Sequence, residues 1–205
     1  MILDAYRFPI RVGGDLCLDF TNTVEFRDSD QRLEFLRSYT SVLAWCWRNQ
    51  LIDDAEAERL NALASYQPGE ADTTFHTALD LRDTLYRMFT SVIAHEAPAS
   101  ADLARLNRAL TTAQPQRRIE ANEGGFGWAW VQSDDLAHIL APIALAAADL
   151  LTSDELQRVR QCPNCGWLFV DTSRNHSRRW CSMDFCGSKI KSRRQYERRK
   201  TSTKN

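Results

Sequence analysis

Cys162-Pro-Asn-Cys165, followed by Cys181 after fifteen residues and by Cys186 after four more, is the stretch that decides how the C-terminal part of this chain folds. Two residues between cysteines let both thiolates of a knuckle turn toward one point, and a second pair completes a tetrahedral site of four sulfurs. Such a site suits Zn2+ and leaves no open position for catalysis. The spacing therefore predicts one structural zinc ion held by these four cysteines.

Two other uses of the cysteines compete with the metal. Two disulfides would need an oxidising compartment, and a redox pair of Cys162 and Cys165 would need neither of the other two cysteines. The chain starts without a basic segment followed by an apolar one, and no window reaches the roughly 18 apolar residues of a membrane span. We therefore expect a cytoplasmic protein with no membrane partner, a setting in which disulfides are disfavoured.

The distribution of charge divides the chain into two parts. The 205 residues have a net charge of -1, but residues 152–205 hold 13 basic and 5 acidic side chains, whereas residues 1–151 hold 13 basic and 22 acidic ones. Net charges of +8 and -9 indicate parts with different partners. We expect a domain over residues 1–155 and a basic zinc module over residues 156–205.

Apolar periodicity predicts a mostly helical N-terminal domain with a short strand and one β-hairpin. The alternation of Leu16, Leu18 and Phe20 predicts the strand, and aromatic residues at 126, 128 and 130 predict the second strand of the hairpin. Helices are predicted over residues 32–50 with a possible break near Ser38, from a cap at Asp53 or Asp54 to residue 64, over 72–95, from about 100, and over 133–151 with Ser133 as its cap.

The C-terminal part is predicted to be a small module of the treble-clef or zinc-knuckle type that ends in a basic helix. Residues 167–171 alternate like a short strand, a polar loop then returns the chain to Cys181, and residues 188–200 contain no helix breaker. The fold class is therefore α+β, with a helical domain followed by the zinc module.

Basic side chains around the cysteines predict a nucleic-acid-binding surface. Residues 188–200 hold seven cations and one acid, Glu197, although a merely solvated helix face is the usual alternative. Cations near phosphates release counterions and give salt-sensitive affinity, while arginine and asparagine can also read base edges. The candidate contacts are Arg174, Asn175, His176, Arg178, Arg179, Lys189, Lys191, Arg193, Arg194, Arg198 and Arg199.

Duplex DNA is the partner that we expect, but the residues leave alternatives open. Trp167, Trp180 and Phe185 could stack on the bases of RNA, as in a ribosome-associated module, although Trp180 and Phe185 could instead form a miniature core around the zinc. The basic tail could also dock an acidic protein. A homodimer would fit a regulator, although the sequence has no heptad seam.

The segment from Cys162 to Cys186 resembles the CGNR zinc finger of bacterial proteins, and Gly13-Gly-Asp-Leu-Cys-Leu-Asp-Phe-Thr-Asn-Thr23 is similar to the start of the ABATE domain that usually precedes it. The resemblance covers nearly the whole chain. It implies a stress-induced transcription regulator with a DNA-reading finger and a sensor domain. One departure is Ser188-Lys189 where the family has Asn-Arg, and lysine lacks the bidentate fork of arginine.

The implied sensor function names no small-molecule effector. The polar residues predicted to line a ligand pocket are Asp19, Asn22, Thr23 and Arg27. The alternative is that Asp19 and Asn22 only cap a turn. Four tryptophans could form a pocket wall or simply belong to the core, namely Trp45, Trp47, Trp128 and Trp130.

Catalytic motifs are absent from the sequence. It contains no glycine-rich phosphate loop, no Gly-x-Ser-x-Gly and no His-Glu-x-x-His, and His76, His95 and His138 are scattered along the chain. We therefore expect a binding protein without catalytic residues and not an enzyme.

Overall fold

The computed structural model describes residues 2–192 apart from residues 28, 123 and 132. These residues form six complete α-helices and three antiparallel two-stranded sheets, β1–β2, β3–β4 and β5–β6. The helices are α1 (Leu16–Thr21), α2 (Tyr39–Arg48), α3 (Asp54–Tyr66), α4 (Pro68–Ile93), α5 (Ser100–Ala113) and α6 (Ala141–Leu151). The strands are β1 (Val24–Glu25), β2 (Leu33–Glu34), β3 (Arg117–Asn122), β4 (Gly125–Trp130), β5 (Val159–Gln161) and β6 (Leu168–Val170).

Shorter helical turns complete the architecture. 3-10 turns occupy Ile2–Ala5, Gln114–Gln116, Leu136–Leu140 and Asp154–Arg158, and a π-helical turn occupies Met183–Gly187. Residues 188–192 continue from this last turn as α-helix. The α+β class and a C-terminal cysteine module that ends in a helix are thus confirmed.

Side-chain caps explain where several helices begin. The hydroxyl of Ser38 accepts a hydrogen bond from the amide of Ser41, and Ser41 accepts one from the amide of Ser38, which forms a capping box before α2. Asp53 accepts a hydrogen bond from the amide of Glu56 at the start of α3. Ser38 therefore marks the start of α2 and not a break within a helix, and Asp53 is the cap of α3.

The strand predicted from Leu16, Leu18 and Phe20 is wrong, because these residues belong to α1. Asp15 caps this helix by accepting a hydrogen bond from the amide of Cys17. Every residue from Cys17 to Thr21 is buried, so the alternation of apolar and polar side chains does not mark one exposed and one buried face. The short strand of this region is β1 instead.

Three predicted helix starts also differ from the structure. The helix predicted from residue 32 begins at Tyr39, because residues 33–34 pair with β1 as β2. The helix predicted from residue 72 begins at Pro68. Proline is tolerated in the first turn of a helix, because the N–H that it lacks would have no partner there. Asp135, and not Ser133, caps the helical segment before α6.

One continuous core unites the helices and part of the zinc module. The long helix α4 contacts α1, α2, α3 and α5 as well as β5. Buried Val159, Leu168 and Val170 belong to the same apolar cluster as the residues of α1, α2, α4 and α6. The C-terminal module therefore packs into the main core of the chain.

A partly buried ion pair joins α4 to β2. The side chain of Arg82 on α4 is fully buried and donates to both carboxylate oxygens of Glu34 at 2.6 and 2.8 Å. Burial raises the pKa of Glu34, but the hydrogen bonds and charge of Arg82 together hold that pKa below its usual value. The pair ties the β1–β2 ribbon to the central helix.

The predicted hairpin forms as β3–β4, with Ile119 opposite Trp128 and Ala121 opposite Phe126. The predicted aromatic side is largely solvent-exposed at its outer end, where Phe126 and Trp128 are 81% and 62% exposed. The guanidinium of Arg117 covers the ring of Trp128 at 3.9 Å. Only Trp130, at the base, packs against the core cluster.

Replacing Glu34 by glutamine should lower the free energy of unfolding by about 2 kcal/mol, because the buried guanidinium of Arg82 loses one of its two carboxylate partners and keeps only Asp83, at 3.2 Å. The matched control is Glu120→Gln, which breaks the exposed pair with Arg118 and should cost less than about 1 kcal/mol. Denaturant unfolding followed by circular dichroism measures both.

The difference in stability between the wild type and Glu34→Gln depends on pH, because the pKa of Glu34 is lowered in the folded chain. A lowered pKa stabilises the fold above the unfolded-state value, and the stabilisation is lost as the pH falls through the folded-state value. Wild type and Glu34→Gln should therefore converge in acid. Equal stability of the two proteins at neutral pH would contradict a stabilising pair.

Candidate metal centre and its interface with the helical domain

The first two cysteines lie in a tight knuckle between β5 and β6. The amide of Cys162 donates to the carbonyl of Trp167 at 2.8 Å, and the amide of Gly166 donates to the carbonyl of Cys162 at 2.9 Å. Gly166 has a φ of +80°, a left-handed backbone conformation that residues other than glycine rarely adopt. The knuckle therefore turns both sulfurs inward.

Of the last two cysteines, Cys181 precedes the π-helical turn and Cys186 lies within it. The amides of Cys186 and Gly187 both donate to the carbonyl of Ser182, at 3.2 and 3.0 Å. A Cβ on Gly187 would lie 2.9 Å from the sulfur of Met183, so any other residue here would have to displace that exposed, flexible side chain. The side-chain amide of Asn164 approaches the sulfur of Cys186 at 3.3 Å, an outer contact that orients a metal ligand.

The four sulfurs fit a tetrahedral metal. All four cysteines are buried, and their Sγ atoms lie within 4.8 Å of one another. The distance from Cys181 Sγ is 3.6 Å both to Cys165 Sγ and to Cys186 Sγ. A tetrahedron with zinc–sulfur bonds of about 2.3 Å has edges of about 3.8 Å. Within residues 2–192, less the three positions left out, this is the one cluster of three or more potential metal ligands.

Thiols this close influence the charge of one another. Hydrogen bonds from Cys165 and from Cys181 hold the pKa of Cys162 far below that of an ordinary thiol. A thiolate is the form of cysteine that binds a metal. Cys17 and Cys46 lie apart in the main core, where burial raises the pKa of each thiol, so they are inert fillers.

The side chain of Asn22 joins the helical domain to the module. Its Nδ2 donates to the carbonyl of Leu168 at 2.8 Å, and its Oδ1 accepts from the amide of Leu168 at 2.8 Å. The carboxamide thus pairs with strand β6 as a neighbouring strand would. All these atoms are buried, so neither partner can exchange its hydrogen bond for one with water.

Three further hydrogen bonds cross the same interface. The indole of Trp167 donates to the carbonyl of Val24 at 3.0 Å. The amide of Phe26 donates to the carbonyl of Cys165 at 3.2 Å, and the amide of Val170 donates to the carbonyl of Gly13 at 2.8 Å. The motif of residues 13–23 and the β1–β2 ribbon therefore form the seat of the zinc knuckle.

Asp19 shapes this seat from inside the helical domain. Its carboxylate accepts from the amides of Gly13 at 2.8 Å and Val12 at 3.1 Å and pairs with Arg11 at 3.3 Å. Burial outweighs these hydrogen bonds and raises the pKa of Asp19. A Cβ on Gly13 would lie 2.8 Å from the amide nitrogen of Asp19, so this turn needs glycine.

The other residues predicted to bind a ligand have intramolecular partners. Thr23 donates to the carbonyl of Phe20 at 2.8 Å. Arg27 pairs with Asp83 at 2.6 Å and lies over the ring of Tyr86 at 4.1 Å, while Tyr86 also accepts a hydrogen bond from Gln161 in β5 at 2.7 Å. These contacts connect α4 to the module.

The tryptophans predicted as a pocket wall do not share one surface. Trp45 packs on Phe20 in the core, with ring centroids 5.0 Å apart, and also lines a cavity of about 240 Å3 together with Asp19. Trp47 and Trp130 line two other cavities, and Trp128 is exposed. Ligand binding by Asp19, Asn22, Thr23 and Arg27 stays a prediction.

Asp171 organises the basic loop that leads to Cys181. Its buried carboxylate accepts from the amide and hydroxyl of Ser173 at 2.9 and 2.6 Å and from the amide of Arg178 at 2.9 Å. Sequence reasoning did not single out this residue. The local signal was available, because an aspartate two residues before a serine is typical of an Asx turn.

The candidate nucleic-acid contacts differ in their surroundings. Arg174, Asn175 and His176 are exposed on the loop, and Lys189 and Lys191 are exposed on the helix after Cys186. Arg178 instead donates to the carbonyls of Trp180 and Cys181 and lies over Phe169. Arg179 is exposed beside the ring of Trp180. Arg193, Arg194, Arg198 and Arg199 lie outside the described residues.

Comparison with known families agrees with a site built from a zinc knuckle and a basic loop. Residues 14–154 match the family model of ABATE, described as "Putative stress-induced transcription regulator", and residues 158–199 match that of the CGNR zinc finger. The chain belongs to the ABATE family and carries a CGNR zinc finger, whose cofactor is one structural zinc ion. A search of curated proteins gave no match. Among the described residues, no helix has the length and apolar character needed to cross a bilayer.

Changing Cys165 to serine should abolish stoichiometric zinc binding, because one of four thiolate ligands is lost. Native mass spectrometry should count one zinc ion in the wild type and none in the variant. The control Cys46→Ala, which removes a thiol outside the cluster, should retain the ion. A zinc count of one in both variants would contradict the assignment of the ligands.

Changing Asn22 to alanine should lower the free energy of unfolding by about 2–4 kcal/mol, because the buried amide and carbonyl of Leu168 both lose their partners. The zinc count should remain one, since no ligand changes. Asn107→Ala, at an exposed position on α5, is the matched control and should have little effect. Unfolding experiments on the zinc-loaded chain would show the difference, and equal losses in the two variants would contradict the role of Asn22.

Proposed function

We propose that this chain is a cytoplasmic transcription regulator that binds duplex DNA through its zinc finger and responds to a small molecule through its helical domain. The observation that carries the proposal is that the metal site fixes both cationic segments. Cys181 ends the loop with Arg174 and Arg179, and Cys186 stands three residues before Lys189. Loop and helix start are thus held close to one rigid centre.

The chemistry of these segments suits duplex DNA. Exposed lysine and arginine side chains neutralise phosphates and release counterions, which gives affinity that falls steeply with salt. Asn175 and the exposed arginines can also bond to base edges. Arg178 is better placed to hold the loop, because its guanidinium bonds to the backbone around Cys181 and packs on Phe169.

The replacement of Asn-Arg by Ser188-Lys189 changes what the finger can recognise. The hydroxyl of Ser188 donates to the carbonyl of Asp184 at 2.5 Å, so it supports the turn before the helix. Lys189 is exposed and lines an open groove with Phe26 and Asn164. We propose that Lys189 contacts a phosphate and not a base pair, since it lacks the planar fork of arginine.

RNA binding is the second candidate, and it rests on the aromatic residues of the module. Phe185 is about half exposed, and Trp180 is partly exposed beside Arg179. Such rings can stack on unpaired bases. Binding to nucleic acid, and not catalysis, is the role proposed in either case. A homodimer remains a prediction.

Changing Arg179 or Lys189 to alanine should weaken binding to a random-sequence DNA duplex, because a cation that neutralises a phosphate is removed. The slope of log affinity against log salt should fall by about one unit for each phosphate that is no longer neutralised. Fluorescence anisotropy at several salt concentrations measures both quantities. Arg108→Ala, an exposed cation on α5, is the control for net charge and should leave the slope unchanged.

Competition decides between the two nucleic acids. Structured RNA that displaces labelled duplex DNA at tenfold lower concentration would favour the second candidate. An intact, zinc-loaded chain that binds neither at low salt would overturn nucleic-acid binding altogether.

A further inference from the structure

A cavity of about 420 Å3 lies between the start of α3, the helical turn Leu136–Leu140 and the base of β4. The apolar part of its wall comes from Leu51, Ile52, Trp130, Ile139 and Pro142. Its polar groups come from Asp53, Glu56, Arg59 and His138. A concave apolar surface of this size with few converging polar groups is typical of small-molecule sites. The zinc centre contributes none of these residues.

The polar groups of the cavity are fixed in position. His138 is buried, with Nε2 3.1 Å from Glu56 Oε1 and Nδ1 2.7 Å from the carbonyl of Asp135. Arg59 binds both oxygens of Glu56 at 2.8 Å and reaches Asp134 at 2.6 Å. A ligand meeting this network would not have to order it, and such preorganisation favours affinity.

The charge of the cavity is negative on balance. Three carboxylates, those of Asp53 and Glu56 in the wall and that of Asp134 beside it, stand against the guanidinium of Arg59 and the imidazole of His138, so they outnumber the groups that can carry positive charge. Residues 1–151 as a whole have a net charge of -9. Trp130 adds an aromatic ring, and the electron-rich face of such a ring attracts cations. Both features favour a positively charged ligand over a negative one.

We propose that this cavity binds a small organic cation with an apolar body, and that it is the effector site of the regulator. The first statement concerns binding alone. The second rests on the function proposed above, in which the helical domain responds to a small molecule. The site differs from the predicted one, because Asp19, Asn22, Thr23 and Arg27 are not among its lining residues.

Three probes with one apolar body and different head groups test the ligand class. We would titrate 4-phenylbutylamine, 4-phenylbutanol and 4-phenylbutyrate into the zinc-loaded full chain and measure affinity by calorimetry. The amine should bind about tenfold more tightly than the carboxylate, with the alcohol between them, because only the head-group charge changes. Equal affinities, tighter binding of the carboxylate, or no binding of any probe up to the solubility limit would overturn the proposal.

Two variants locate the binding to this cavity. Asp53→Asn keeps a good helix cap but removes a charge, so it should weaken the amine about fivefold and leave the alcohol unchanged. Ala55→Trp, at an exposed lining position, should fill the cavity and abolish binding of all three probes. The matched control Glu58→Trp, exposed on α3 and not part of the lining, should bind as the wild type does. Unchanged binding in Ala55→Trp would overturn the site.

These measurements need no nucleic acid, so they can fail or succeed independently of DNA binding. If the amine binds as expected but the chain binds no DNA, the cavity stands and the regulator function falls. If the chain binds DNA but the cavity binds none of the probes, the regulator function stands and this site falls. Repeating the DNA titration with saturating amine then tests the effector role, and an unchanged DNA affinity would overturn that role.

Discussion

The pairing of the Asn22 carboxamide with the backbone of Leu168 is the contact on which the architecture depends. It joins residues 146 positions apart and replaces a strand neighbour that β6 would otherwise lack. A zinc knuckle of this size has little core of its own, since its cluster consists of the four cysteines and two aromatic residues, Trp167 and Phe169. Zinc closes the knuckle locally, and the seat formed by the helical domain then fixes its orientation.

A second long-range contact also stabilises the seat of the zinc knuckle. The ion pair of Arg82 and Glu34 holds the β1–β2 ribbon on α4, and the ribbon carries the carbonyl of Val24 and the amide of Phe26 to the knuckle. Arg27 adds a parallel connection through Asp83 and Tyr86. The central helix and the metal centre are thus linked by polar contacts in which each donor has a defined acceptor, and replacing one of them affects both parts.

The sequence predicted what depends on local chemistry. The four cysteines could be identified because spacing alone brings their sulfurs together, and the start of α3 could be identified because Asp53 is a local cap. The function of Asn22 could not be predicted, since its partner is distant in the chain and its side chain resembles a simple turn cap. The helix α1 was mistaken for a strand because burial on all sides removes the exposed face on which periodicity depends.

The shared core also bears on how the chain can be divided. The two family matches meet between residues 154 and 158, which suggests an obvious place for cutting the chain into fragments. A fragment ending there would lose Leu168 and Val170 from the core. It would also expose to solvent the side chain of Asn22 and the carbonyl of Gly13, which bond to β6 in the full chain. The exposed apolar face would invite association between fragments. The two matched segments of the sequence therefore share one core in this molecule.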